Sequence, residues 1–134
     1  MSPARPLDVE RVICRLSDIG DPGSRGFTIG TGDWPLRGFI VRMGEQVWGY
    51  VNRCPHAGHP LNLTPHKFLT PGRELILCSS HGALFDRQTG FCIAGPCGGQ
   101  SLQGVPVEVE SGFVMLAEGV DPQAYGDRPS SLPF

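Results

Sequence analysis

Three side chains able to hold a metal fall within the stretch CPHAGHPLN, residues 54–62: Cys54, His56 and His59. A second stretch, CSSHGALFD, sets Cys78 and His81 three positions apart. Thiolate sulfur and imidazole nitrogen are the ligands of structural zinc sites, so these residue types in this spacing raise the question of a metal. An isolated cysteine usually acts as a small buried hydrophobe. Two matched Cys/His pairs, each followed closely by glycine, point instead to one shared site. Many structural zinc sites pair like with like, Cys-x-x-Cys with His-x-x-x-His. Here each pair supplies one thiolate and one imidazole, an arrangement that permits zinc without suggesting it. His66 stands outside both pairs with no carboxylate-rich motif around it, so it reads as a loop histidine rather than part of a second metal site.

The elements that must position these residues are short strands. GFIVRM (38–43) alternates, with Phe39, Val41 and Met43 on one face, and QVWGYVN (46–52) follows after Gly44-Glu45, a pair suited to a two-residue hairpin turn. ELILC (74–78) is an apolar run ending in a candidate ligand. ALFD (83–86) and GFCI (90–93) flank the turn-like RQTG, and VPVEVE (105–110) turns through Ser111-Gly112 into FVMLAE (113–118). Pro106 makes its strand an edge or an interrupted one. ERVICRLSDI (10–19) reads as a first strand. No window keeps a helical stripe over three turns. The pattern predicts an antiparallel β-sandwich or open barrel of about eight to ten short strands. Each Cys/His pair then lies where a strand runs into a loop.

Size and composition agree. The 134 residues suit one domain, 40% hydrophobic and 18% charged residues suit a globular one, and a net charge of −2 leaves no footprint for nucleic acid. No apolar run would span a membrane, and the N-terminus lacks the apolar core of a signal peptide, so the expected location is cytoplasmic. Five cysteines, an odd number, then argue against a disulfide framework. Cys14 is expected in the core and Cys92 in strand packing. Cys97 is expected close to a cysteine loop, and a redox-active Cys92/Cys97 pair is the alternative. Residues 1–118 form the expected domain and 119–134 a tail, either disordered or packed back through Tyr125 and Phe134.

Cys-x-His followed by Cys-x-x-His, with TGFCIAGP and VPVEVESG further on, resembles the Rieske iron–sulfur family over roughly residues 35–117. The resemblance implies an all-β fold: an antiparallel β-sandwich base with a small cluster-binding subdomain, about residues 51–97, formed by two loops. It implies one 2Fe–2S cluster, with Cys54 and Cys78 on one iron and His56 and His81 on the other. Neutral imidazoles in place of two thiolates make such a cluster less negative and easier to reduce than a four-cysteine one. Gly95-Pro96 would belong to a third loop covering the cluster.

High-potential members carry a loop-bridging disulfide whose positions here are His59 and Ser80. They also carry a serine and a tyrosine, both hydrogen-bond donors, where this chain has Ala83 and Phe85. The missing donors predict the low end of the Rieske range, about −150 mV. The resemblance thus points to a soluble one-electron carrier, a ferredoxin between a flavin-dependent reductase and the terminal component of an oxygenase, rather than to an enzyme. Two other readings stay open: a Rieske small subunit or regulatory module of a larger redox enzyme, and a zinc-stabilised binding module. Neither the partners' identity nor the oligomeric state is written in the sequence.

Overall fold

A computed structural model describes residues 11–30, 35–55, 60–79 and 82–125. Ten strands follow in chain order: β1 (Val12–Arg15), β2 (Gly23–Ile29), β3 (Leu36–Met43), β4 (Gln46–Val51), β5 (Ile76–Leu77), β6 (Leu84–Phe85), β7 (Cys92–Ala94), β8 (Gly104–Val105), β9 (Val107–Glu110) and β10 (Phe113–Leu116). They form three antiparallel sheets in the orders β1-β10-β9, β2-β3-β4-β8 and β5-β6-β7. The architecture is all-β, as the alternation predicted, and short 3-10 turns at Leu16–Asp18 and Pro122–Tyr125 are the other regular elements among the described residues.

The four-stranded sheet is the middle layer because it is apolar on both faces. Ile40 on β3 packs with Ile19, Val114 and Ile13 towards the first sheet, and Leu36 and Val51 continue that core with Val105 and Leu116. Phe39 and Val41 point the opposite way and pack with Tyr50, Phe68, Phe85 and the cysteine-bearing segment. The one-sided pattern expected for GFIVRM is therefore corrected: Phe39, Ile40 and Val41 are all fully buried, as a strand covered on both sides requires. The Gly44-Glu45 turn is where it was expected, joining Met43 to Gln46 with Gly44 at φ 65°.

Pro106 interrupts its strand and does more. The residues before it form β8, paired with β4, and those after it form β9, paired with β10. A missing N–H lets the chain leave one sheet for the other without orphaning a donor.

Strand β2 was not foreseen. GSRGFTI holds two glycines in seven residues, which weakens its local strand signal, yet it pairs with β3 from Gly23↔Arg42 to Ile29↔Leu36. Its outer edge is covered. The Gly26 N–H donates to Nδ1 of His66 (3.1 Å), Ser24 Oγ donates to the His66 carbonyl (2.8 Å), and Phe68 N–H donates to Ser24 Oγ (3.1 Å). His66 is thus an exposed loop residue that satisfies a sheet edge, and the aromatic ring two residues on stacks on Phe39 at 4.3 Å.

The last described residues return to the base. Val120 and Tyr125 pack on the core around Leu36 and Leu116. The part of the expected tail from 126 to 134, including Phe134, lies outside the described residues.

Candidate metal centre

Cys54 follows β4 and Cys78 follows β5, so each begins a loop at a strand end. Both thiols are free of disulfide bonds, and both residues are fully buried in one apolar cluster with Leu61, Phe68, Ile76, Ala83 and Phe85. The two loops are joined backbone to backbone: the Ser79 N–H donates to the Leu61 carbonyl at 2.8 Å. His56, His59, Ser80 and His81 lie outside the described residues, so the structure places the two cysteines of the predicted set and not the two histidines.

Each loop has its own brace. In the second, the Cys78 N–H donates to the Ala83 carbonyl (2.9 Å) and the Gly82 N–H donates to the Cys78 carbonyl (2.8 Å), tying Cys78 to Gly82 and Ala83. In the first, Asn52 Oδ1 accepts from the Leu61 N–H (2.8 Å) while its Nδ2 donates to Asn62 Oδ1 (2.9 Å). Asn62 then donates to the Thr64 carbonyl. Sequence reasoning missed this clasp. Its visible signal is the pair of asparagines bracketing the first motif in NRCPHAGHPLN.

The surroundings of the two thiols are apolar. Ala83 and Phe85 are fully buried and offer no side-chain donor. Tyr50 faces the same core, but its hydroxyl donates to the Arg87 carbonyl at 2.8 Å. Burial, with the Asp86 carboxylate adding to it, holds that phenol protonated far above its usual range.

Asp86 itself closes the RQTG turn: its Oδ1 accepts from the N–H groups of Gln88 (2.8 Å) and Thr89 (2.9 Å). Those bonds, Thr89 first, hold the carboxyl below the usual carboxylate range. A carboxylate with a lowered folded pKa stabilises the fold above its unfolded value, about 4, and loses that contribution as pH falls through the folded value. Asp86→Asn keeps an acceptor oxygen but cannot titrate. The difference in urea stability between wild type and Asp86→Asn is expected to shrink as pH drops below about 4. A difference constant from pH 6 to pH 2 would contradict this.

The remaining cysteines divide. Cys14, on β1, packs with Ile13 and Ile19, and burial pushes its thiol up to about 11, with Arg25 opposing and Asp18 reinforcing. It is half-buried and packs against the edge of the core rather than within it, a correction to the expectation. Cys92 sits in β7 as expected and is buried, but it is disulfide-bonded to Cys97, with their Cα atoms 6.0 Å apart. The expectation of unbonded thiols there is corrected. The reversal after β7 brings together two residues whose spacing of five carries no such signal.

Among the described residues the polar side-chain atoms of the buried core are the cysteine sulfurs and the Tyr50 hydroxyl, and the latter is committed to the Arg87 carbonyl. Thiol donors suit a soft or borderline metal rather than a hard one, and the scaffold that carries them is all-β. The chain belongs to the Rieske [2Fe-2S] domain family, whose model matches residues 10–110. The ferredoxin of carbazole 1,9a-dioxygenase from Nocardioides aromaticivorans IC177 superposes with a TM-score of 0.63 at 23% identity, over 79% of this chain and 94% of that one. A complex of reduced oxygenase and oxidised ferredoxin in carbazole 1,9a-dioxygenase gives a TM-score of 0.61 at 27% identity, covering 79% and 99%. The Sphingomonas yanoikuyae B1 ferredoxin gives 0.58 at 23%, covering 78% and 94%. No curated protein matches the chain.

The cofactor is therefore a 2Fe–2S cluster and the domain an electron-transfer domain, which sets the zinc-stabilised module aside. Two buried cysteines outside any disulfide, on adjoining loops, fit that cofactor. Among the described residues no helix is long and apolar enough to cross a membrane.

Proposed function

We propose that the chain is a Rieske ferredoxin of an oxygenase system, taking single electrons from a flavin-dependent reductase and passing them to a terminal oxygenase. In this reading Cys54 and Cys78 bind one iron, and His56 and His81 bind the other. The observation that carries it is the burial of Cys54 and Cys78, neither of them disulfide-bonded, on loops tied together by the Ser79–Leu61 hydrogen bond. The likeness to a ferredoxin–oxygenase complex at 27% identity supports the choice of partner.

The cluster supplies one-electron redox chemistry when bound. The protein's part is to hold two thiolates in a dry, apolar wall, with the Asn52 clasp bracing one loop and the Cys78–Ala83 turn the other. Because Ala83 and Phe85 offer no donor, the reduced, more negative state gains no side-chain hydrogen bond from those two positions. The expected potential is about −150 mV. Protein-film voltammetry checks this, and a value well above zero would overturn it. Oxygenase turnover in a mixture of flavin-dependent reductase, this chain and a Rieske terminal oxygenase tests the role directly. It is expected to stop when the chain is omitted. A chain that is reduced chemically but exchanges no electrons with either component would refute the carrier role. Stable co-purification with a larger redox enzyme would favour a subunit, since a carrier binds transiently through a small surface.

A further inference from the structure

We propose that the Cys92–Cys97 disulfide is a thiol-addressable latch. Oxidised, it holds the loop 93–99 shut against the second cysteine loop; a small dithiol reductant opens it. The link to the cluster rests on the assignment of Cys78 as a ligand.

Both residues of the bond are buried, 2% and 1% exposed, while all four residues between them, 93–96, are exposed. The cross-link thus lies beneath a surface arch. That arch meets the second cysteine loop at Gly95. The backbone of Gly95 lies so close to Ala83 that a Cβ at Gly95 would stand 2.7 Å from the Ala83 Cα. Ala83 in turn holds the Cys78 N–H through its carbonyl. Strand pairing runs in parallel with this contact, since Leu84 pairs with Ala94 and Phe85 with Cys92. From disulfide to Cys78 there are two direct steps.

Little else orders the arch. Gly98 and Gly99 have no heavy atom close to where a Cβ would be, and both are exposed. With Gly95 they put three glycines in five residues, a stretch that loses much backbone entropy on ordering. The backbone hydrogen bonds that close it are Cys92 N–H to the Gln100 carbonyl (2.9 Å) and Gln100 N–H to the Cys97 carbonyl (3.0 Å). Strands β6 and β7 are two and three residues long, with a register shift between Leu84 and Phe85. A cross-link confines such a segment chiefly by removing open conformations.

Opening is a balanced exchange. One thiolate of the dithiol attacks a sulfur of the bond, forming a mixed disulfide and releasing the other cysteine. The second thiolate displaces the first-attacked cysteine. The dithiol ends as a cyclic disulfide, and Cys92 and Cys97 gain its two electrons and two protons. Burial of both sulfurs makes the attack wait on arch opening, so the latch should respond slowly.

The test uses the cluster-loaded full chain with dithiothreitol as the dithiol, alongside Cys92→Ser/Cys97→Ser and Cys14→Ser. Iodoacetamide labelling read by mass spectrometry is expected to spare Cys92 and Cys97 before reduction and to mark both after it. Amide exchange over residues 82–85 and 94–100 should then speed up about tenfold, and the cluster's lifetime under an iron chelator should fall about tenfold. The double variant should show the fast values with or without dithiothreitol, and Cys14→Ser should behave as wild type. Labelling of both cysteines in the untreated protein would overturn the proposal. So would exchange and lifetime that ignore reduction in the wild type, or a dithiothreitol effect of equal size in the double variant. Retention of the cluster by Cys78→Ser would overturn the ligand assignment instead and leave the exchange result standing.

Discussion

Cys78→Ser is expected to leave the protein unable to hold its cluster. A serine oxygen is a harder and weaker ligand than a thiolate, and the site around position 78 is apolar, with no side chain of the described core able to take its place. Loss of an outer-shell partner alone typically lowers metal affinity 10- to 100-fold, so loss of a ligand should lower it by more than about 100-fold. After anaerobic reconstitution, visible absorbance, iron and acid-labile sulfide should all fall to background. Cys54→Ser should behave alike, since Cys54 is equally buried in the same cluster. Cys14→Ser should keep the full complement, because that thiol packs between the sheets of the base. His59→Ala should also keep it, since of the two histidines in the first motif only His56 is assigned to iron. A Cys78→Ser protein with full iron and sulfide and an unchanged rhombic reduced signal would refute the assignment.

The second large effect is expected at Gly95. Its φ of 102° is one that side chains rarely adopt, and the nearest atom to a new Cβ would be backbone, the Ala83 Cα at 2.7 Å, which cannot swing aside. Gly95→Ala combines strain at a disfavoured φ with overpacking, for a loss of about 2–5 kcal/mol. The thermal midpoint should drop by roughly 10 °C or more. Because Ala83 anchors the turn at Cys78, cluster yield should drop with it. Gly98→Ala is the control: nothing lies near its Cβ position and its φ is ordinary, so the change should stay within about 0.5 kcal/mol. Equal midpoints for the two variants would mean that the contact between the arch and Ala83 does not matter.

How much of this was legible depended on how local the signal was. The Gly44-Glu45 hairpin and the break at Pro106 are written within a few residues, and each appears where expected, while of the Cys/His pairs the two cysteines stand at strand ends and the two histidines lie outside the described residues. The two cysteine motifs could be read as sharing a site because both precede loops, although the bond that joins those loops, Ser79 to Leu61, links distant positions and leaves no local mark. Strand β2 escaped notice because its glycines hide a pairing that only β3 completes. The double burial of β3 was masked because alternation shows one apolar face well and says nothing when Ile40 makes the other apolar too. The disulfide was the least legible. Counting five cysteines in a presumed reducing compartment argued against it, while the reversal after β7 that aligns Cys92 with Cys97 follows from packing on β6.

One closure sets the order in which this chain can assemble. Val51 donates to the Gln103 carbonyl and Tyr50 pairs with Gly104, so the stretch between Asn52 and Leu102 starts and ends at one point of the base. Topologically, the cysteine-bearing region is a single long excursion from one hairpin-like junction. Pinning the ends of a loop that long costs about 3.5 kcal/mol beyond the constant term, a sum that the β3–β4 hairpin, with its two-residue turn, never faces. The hairpin can therefore form early, and the junction at Tyr50 and Gly104 must wait until the excursion's own packing on Phe39 and Val41 offsets its closure.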